Sequence, residues 1–366
     1  MHAYPLTSLT LEQAQAKQFA LVDCITRFFP NSDFLHADLG LVPECHQPAT
    51  TARVEQVLAA FFKAESAVLL QGAGTGALRA GLNALLTRKG TLLAHQAPIY
   101  PTSQVSIDQL GCKLVQADFN TPSALAHALD THKPDLVLIQ HTRQQPQDRY
   151  ALGEVIAQCA QRGVATLIDD NYATLKVPAI GCELGATLST FSSFKLFGPE
   201  GVGVAVGAKS AVDAIKQTLY SGGCQIQGWQ ALAVLRGMVF APVMHAIASA
   251  QGEHIAARLN QGECPQVKSA YIVNAQSKVV IVELAKPIAP AVIAHATRLG
   301  ALGYPVGAES KYELPPLFYR VSGTFLAENP NARETLIRIN PNRSGADTVI
   351  RILKESIQAV ESQSAV

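Results

Sequence analysis

One lysine in this sequence stands where an amine can be made reactive. Lys195 lies in the run Ser192-Ser193-Phe194-Lys195-Leu196-Phe197-Gly198-Pro199-Glu200-Gly201, between an apolar strand pattern and a Gly/Pro-rich turn. Partial desolvation there favours the neutral amine, a nucleophile; a lone lysine on a loop is otherwise an ordinary surface charge. A second segment changes the weight of the first. The run Ala165-Thr166-Leu167-Ile168-Asp169-Asp170-Asn171-Tyr172 ends a buried strand pattern in a carboxylate, Asp169, 26 residues before Lys195. Alone, Asp169 reads equally as a helix or turn cap. A third segment, Gln71-Gly72-Ala73-Gly74-Thr75-Gly76-Ala77, follows a strand pattern and opens a helix pattern. Glycines let the backbone approach an anion, and a helix N-terminus turns N–H groups and a positive dipole towards it. Three readings of that loop stand side by side. A dinucleotide fingerprint, Gly72-x-Gly74-x-x-Ala77, needs an acidic residue at the end of the next strand, and Ala94-His95-Gln96-Ala97 supplies none. A single phosphate cup would use the backbone and the Thr75 hydroxyl. A tight turn without ligand is the third. Open α/β sheets bind ligands beyond the carboxyl ends of their strands, so such a fold would bring Gly74, Asp169 and Lys195 to one crevice.

The elements required by that geometry are legible as alternation. Residues 1–52 form an N-terminal arm, with one helix over 10–28 and a Pro/His/Asp-rich connection. From residue 53 the patterns alternate: helix 53–62, strand 67–70, helix 77–86, strand 91–94, a helix ending at Gly111, strand 113–116, helix 123–129, strand 136–139, helix 152–162 and strand 164–168. Strands at 188–191 and 202–206 and a long helical region over 226–259 follow. Short apolar runs alternating with helices predict a three-layer α/β domain, a mostly parallel sheet covered on both faces. Beyond a boundary near residue 250 the texture becomes strand 278–284, helix 288–299, strands 317–321 and 335–339 and helix 345–360, a smaller α+β domain over 251–366.

Composition narrows the function classes. The 366 residues carry 29 Lys+Arg against 28 Asp+Glu, and without a basic run the electrostatics of nucleic-acid binding are missing. Nearly half the residues are apolar, enough for a sizeable core. The sequence reads without a span of about 20 apolar residues and without a signal-peptide pattern at its start, so a soluble, cytoplasmic protein is expected. Seven scattered cysteines with no C-x-x-C, and histidines with no H-E-x-x-H, point to neither a disulfide framework nor a metal site.

Taken together, these residues resemble the fold-type I pyridoxal-phosphate (PLP) enzymes, over 53–206 most closely. By that resemblance Lys195 corresponds to the Schiff-base lysine, with Ser192 in the S-x-x-K position, and Asp169 to the aspartate facing the pyridine nitrogen. Gly74, Thr75 and Gly76 correspond to the phosphate cup, Tyr100 to the residue stacked on the ring, and Gln145 of Gln145-Pro146 to the amide beside the ring hydroxyl. The run Asp169-Asp170-Asn171-Tyr172-Ala173-Thr174 is similar to the D-N-T-F-A-T run of the cystathionine γ-synthase/β-lyase group. Arg338, in Thr335-Leu336-Ile337-Arg338-Ile339, corresponds to the arginine that grips a substrate carboxylate; Arg320 is its rival, and Arg143 at a strand end is a further cation. The chain departs from the Cys/Met group in two places. No Y-x-R motif occurs around Leu41–His46, and the turn after Lys195 looks more like that of class V aminotransferases.

The resemblance implies a homodimer, with 41–53 and Ser221-Gly222-Gly223 as segments reaching across the subunit boundary. It implies an amino-acid substrate, Asp169 as the group keeping the ring nitrogen protonated, and Lys195 as the base at Cα. Transamination is the reaction expected first, from the Gly198-Pro199-Glu200-Gly201 turn. C–S lyase chemistry and racemisation share its first half. Two readings from other classes are an NAD-dependent dehydrogenase, for which the ribose-binding acid is missing, and a PLP-binding regulator without turnover.

Overall fold

The structure, a computed structural model, describes residues 3–87, 89–143, 145–275, 277–306, 309–321, 326 and 330–364. These fall into two compact units. The larger comprises 12–142 and 149–242; the smaller comprises the described parts of 1–11, 143–148 and 243–366. Residues 12–52 therefore cluster with the larger unit.

The larger unit runs α1 (Leu11–Phe28), α2 (Ala49–Phe61), β1 (Ser66–Gln71), α3 (Ala73–Leu85), β2 (Thr91–His95), α4 (Pro101–Leu110), β3 (Lys113–Ala117), α5 (Pro122–His132), β4 (Leu136–Gln140), α6 (Leu152–Gln161), β5 (Ala165–Asp169), β6 (Leu188–Ser192), β7 (Val202–Gly207), α7 (Lys209–Gln217) and the start of α8 (Gly228–Asn260). Its seven strands are ordered β1-β7-β6-β5-β4-β2-β3. All neighbours are parallel except β7, which is antiparallel to both β1 and β6. Side chains alternate between the sheet's faces with a period of two. Val68, Leu70, Leu138, Leu167 and Leu188 pack with Leu78 and Leu82 of α3 and Val212 and Ile215 of α7. On the opposite face Leu69, Phe191 and Val204 meet Leu58 of α2 and Leu235 of α8, while Ile139 and Ile168 meet Leu125 of α5 and Ile156 of α6. Both faces are covered, which is why β4, Leu-Val-Leu-Ile-Gln, reads as an unbroken apolar run.

The expected three-layer, mostly parallel architecture is the observed one. Three local expectations need correction. Helix α3 begins at Ala73, so the glycine-rich loop is the first turn of the helix itself. Gly72 supplies the left-handed residue before it (φ 94°), and the Gly72 and Ala73 N–H groups both donate to Gly201 O, tying the loop to the turn after Lys195. Helix α7 and strand β8 (Val267–Ala275) were not anticipated. Finally, the segment Gly222–Asn260, which contains α8, is long and apolar enough to cross a membrane by length and composition, contrary to the reading of the sequence. Its apolar residues Leu232, Val234, Leu235 and Met238 belong to the core of the larger unit, and a core helix can have the same composition as a membrane span.

The smaller unit contains the rest of α8, β8, β9 (Ser277–Leu284), α9 (Ala289–Arg298), β10 (Leu317–Arg320), α10 (Ala332–Thr335), β11 (Leu336–Asn340) and α11 (Ala346–Ser364). Its four strands, ordered β10-β11-β9-β8, are all antiparallel. Val280, Val282, Ile337 and Ile339 bury against Val292 of α9 and Val349, Leu353 and Ile357 of α11, an apolar stripe at helical spacing.

Two glycines of α8 give opposite expectations. A Cβ on Gly237 would lie 2.5 Å from Gly198 N and from the Phe197 carbonyl carbon, whereas one on Gly252 meets only Val280 at 3.6 Å and Ile272 at 3.8 Å. Gly237→Ala should therefore destabilise the protein by about 1–3 kcal/mol through overpacking against backbone. Gly252→Ala should stabilise it by up to about 1 kcal/mol, the helix-propensity gain. Chemical denaturation of both variants checks the pair; equal effects of the same sign would contradict this packing.

Candidate active site

Strand β5 ends in Asp169, at the carboxyl edge of the sheet. Pairing places it beside Gln140 of β4 and Thr190 of β6. Its alternation puts it on the face of Leu167, the face covered by α3. One oxygen, Oδ1, accepts two hydrogen bonds from Asn171, from the backbone N–H at 3.0 Å and the side-chain Nδ2 at 2.8 Å. This is an Asx turn closed on its own strand end. Oδ2 accepts no hydrogen bond from any described residue. Burial drives the Asp169 carboxyl above its ordinary range; the Asn171 hydrogen bonds and the charge of Lys195 oppose the rise, and the neighbouring Asp170 adds to it.

Asn171 does more than hold Asp169. Its Oδ1 accepts the Ser192 N–H at 3.0 Å, and its backbone carbonyl accepts the Thr142 hydroxyl at 3.1 Å. A Cβ on Gly74 would lie 2.5 Å from Asn171 Oδ1, so the first turn of α3 is glycine where the amide presses on it. One side chain thus registers the ends of β5 and β6 against the N-terminus of α3. In that first turn the Gly76 N–H donates to Gly72 O, while the Gly74 and Thr75 N–H groups have no backbone partner among the described residues. The Thr75 hydroxyl lies 3.3 Å from the Thr102 hydroxyl of α4. Tyr100 immediately precedes α4, with its ring exposed.

Lys195 sits on a single 3-10 turn, Ser193–Leu196, directly after β6. The Ser192 hydroxyl accepts the Phe194 N–H, and the buried Ser193 hydroxyl donates to the Pro199 and Val202 carbonyls, which fixes the turn. The Lys195 Nζ stands 4.6 Å from the centroid of the Tyr172 ring, and Lys176 Nζ stands 5.6 Å from the same centroid. Tyr172 adopts a left-handed backbone conformation (φ 66°). The structure therefore brings Gly74, Thr75, Gly76, Asp169, Ser192 and Lys195 together at one edge of the larger sheet. Reading the sequence for chemistry missed Asn171 and Tyr172 as parts of this site; the Asp-x-Asn spacing of an Asx turn was the available signal for the first.

Four named residues belong to the smaller unit, among them Arg143, which donates to the Tyr4 carbonyl. Gln145 donates its backbone N–H to Asp148, and its side-chain oxygen is buried without a hydrogen-bond partner among the described residues. Arg338 of β11 is 2% exposed and lies opposite Tyr319 of β10 and Ile281 of β9. Arg320 is exposed on the outer strand, its guanidinium against Tyr319.

A lysine after one strand, a carboxylate ending the adjacent strand and an open helix N-terminus, on this sheet order, define the fold-type I class of PLP enzymes. A family model for class V aminotransferases matches residues 46–233, and a YhfS-like C-terminal domain model matches 253–353. The chain belongs to the class V aminotransferase family. It is 60% identical to the YhfS protein of Escherichia coli strain K12, over 98% of this chain and all of that one. The crystal structure of E. coli YhfS, described as a pyridoxal-5'-phosphate dependent protein, matches with a TM-score of 0.97. Two more distant structures share the fold. One is a cystathionine gamma lyase from Micromonospora echinospora (18% identity, 84% of this chain and 86% of that one, TM-score 0.67). The other is a cystathionine gamma synthase from Xanthomonas oryzae pv. oryzae (21% identity, 87% and 88%, TM-score 0.67).

The geometry carries a stability prediction. The raised Asp169 means that the cofactor-free folded protein binds this proton more tightly than the unfolded chain. Stability is thus undiminished below the ordinary carboxylate range and is lost as pH rises through the raised one. Asp169→Asn should raise the melting temperature of the cofactor-free protein by a few degrees at about pH 8, with no gain at about pH 4. A lower melting temperature at both values would contradict the burial argument.

Proposed function

We propose that the protein is a PLP-dependent aminotransferase acting on an amino acid, with Lys195 carrying the cofactor covalently. The observation that supports it most directly is Asp169, a buried carboxylate with one oxygen tied to Asn171 and the other accepting no hydrogen bond from a described residue, at the sheet edge that also carries Lys195 and the α3 N-terminus. A ring nitrogen bearing a proton is the complement such an oxygen requires. The Gly74 and Thr75 N–H groups, the Thr75 hydroxyl and the helix dipole would hold the phosphate. Tyr100 would cover the ring, and Gln145 would contact its hydroxyl through an amide oxygen that has no described protein partner.

When bound, PLP supplies an electron sink for a carbanion at the substrate Cα. The protein's own share is grip, charge and proton movement. Asp169 would hold the proton on the ring nitrogen, because an opposite charge at short range favours the charged form. The Lys195 amine, displaced by the substrate amine, would take the Cα proton as general base and return it on the cofactor side; water would then release a 2-oxo acid, and an acceptor 2-oxo acid would take up the amino group to complete the transfer. Expulsion of a side-chain group instead would make the protein a lyase, and return of the proton to the other face of Cα a racemase. The Gly198-Pro199-Glu200-Gly201 turn and the class V match favour transfer. Arg338 would pair with the substrate carboxylate; its burial, against the exposure of Arg320, supports the choice.

The reading expects a cytoplasmic homodimer. Leu39, Leu41, Tyr220 and Trp229 expose apolar surface on the larger unit around the 41–53 and 221–223 segments. Sedimentation should give a dimer, and an active monomer would refute this part.

The decisive test is chemical. Borohydride reduction of the PLP-loaded protein should fix the cofactor on the peptide containing Lys195, and Lys195→Ala should abolish both the label and turnover. Label on Lys176 would displace the assignment. A panel of L- and D-amino acids with 2-oxo acid acceptors should then give a new amino acid; release of ammonia or a thiol would instead establish a lyase. Arg338→Ala, which removes a contact of about 1.5–3 kcal/mol, should weaken amino-acid binding about 10- to 100-fold. If Arg320→Ala does so and Arg338→Ala does not, the role moves to Arg320.

A further inference from the structure

Directly behind Asp169 lies a buried pair that the proposed reaction does not use. Asp170 is 0% exposed, and His141 is 6% exposed. His141 Nδ1 is 2.6 Å from Asp170 Oδ1, and the Gly181 N–H donates to Asp170 Oδ2 at 3.2 Å. The His141 backbone N–H donates to Asp169 O at 3.0 Å, so the imidazole is fixed to the same strand end that presents Asp169. In an ion pair the carboxylate only accepts, and Nδ1 is then the donor. His141 Nε2 makes no hydrogen bond with a described residue.

Two consecutive carboxylates at a dry strand end repel each other, and each raises the cost of ionising the other. The charged and titratable groups facing the pair are few among the described residues. Asp169 lies beside it on β5. The Lys195 charge acts on Asp169 from the turn after β6. The Cys182 thiol, pushed up to about 12 by burial, stays neutral. The Glu183 carboxylate is turned to Lys17 and to the Ile180 N–H. At the end of β2, His95 is engaged with the Phe119 N–H, its ring tilted against Phe119 and edge-on to Tyr150. The group in contact with Asp170 that can cancel its charge is His141.

We propose that His141 and Asp170 form a buried ion pair whose function is to keep the adjacent Asp169 ionised, making His141 a positioning residue for the cofactor ring. A protonated His141 turns Asp170 into half of a neutral pair, and Asp169 then bears the one uncompensated negative charge at that strand end. Without the imidazolium, the charge on Asp170 pushes Asp169 towards its neutral form, and the ring nitrogen loses its counter-charge. This rests on the reading of Asp169 and Lys195 given above.

The test is a charge cycle on the PLP-loaded protein, read by the pH midpoint of its visible absorbance as well as by kcat. Three variants are needed: His141→Gln, which keeps a donor to Asp170 but removes the charge, Asp170→Asn, and the double variant. His141→Gln should move the spectral midpoint up by about one unit and lower kcat about 10-fold or more. The double variant, which removes both charges, should return both readouts most of the way to wild type, because the two changes are coupled through one pair. Asp170→Asn alone should leave the midpoint at or below the wild-type value, and it carries the test if His141→Gln does not fold. A wild-type midpoint in His141→Gln, no recovery in the double variant or an upward shift in Asp170→Asn would each overturn the proposal. A wild-type protein that takes up PLP on Lys195 while showing these contrary results refutes this inference alone; a wild-type protein that does not take up PLP refutes the functional reading.

Discussion

A single carboxylate held where it is expensive to ionise is the constraint around which the larger unit is arranged. Asp169 ends a strand buried on both faces, and burial opposes its charge. Stability alone would favour an apolar or amide side chain there. Asn171 instead gives two hydrogen bonds to one oxygen and leaves the other available, a geometry suited to a cation arriving from outside the chain. That a site costs the folded protein something in the absence of its ligand is the usual relation between stability and function.

The remainder of the unit makes this position reproducible. Asn171 touches β6 through Ser192 and α3 through Gly74, so three elements share one side chain as their reference. The turn after Lys195 is anchored by the Ser193 hydroxyl and by Gly201, whose carbonyl accepts two N–H groups from the start of α3. Gly237 of α8 lets the helix approach that same turn closely. Strand β7 connects these parts: antiparallel insertion between β1 and β6 sets the loop before α3 beside the loop that carries Lys195.

Much of this was legible in the sequence because local patterns and burial agree. Two-sided burial writes continuous apolar strands such as Leu136–Ile139, and Gly74, Asp169 and Lys195 stand at or just beyond the ends of such strands in chain order. What was not legible depends on contacts distant in sequence. The antiparallel direction of β7 leaves no trace in Val-Gly-Val-Ala-Val-Gly. The glycines at 74 and 76 suggested a loop, whereas close packing against Asn171 and Gln71 requires them inside a helix. The span Gly222–Asn260 shows the converse error, since apolar composition alone does not distinguish a core helix from a membrane span. The His141–Asp170 pair joins residues 29 apart, and neither identity nor spacing marks it in one dimension.

In the proposed function Asp169 is an anion whose partner is the protonated ring nitrogen of PLP. The most direct measurement is nitrogen NMR of the protein loaded with PLP carrying nitrogen-15 in its ring, compared with Asp169→Asn loaded in the same way. The expected result is a protonated ring nitrogen in the wild-type protein at neutral pH and an unprotonated one in the variant, with both proteins retaining the cofactor on Lys195. An unprotonated ring nitrogen in the wild type, or the same protonated signal in both proteins, would contradict it.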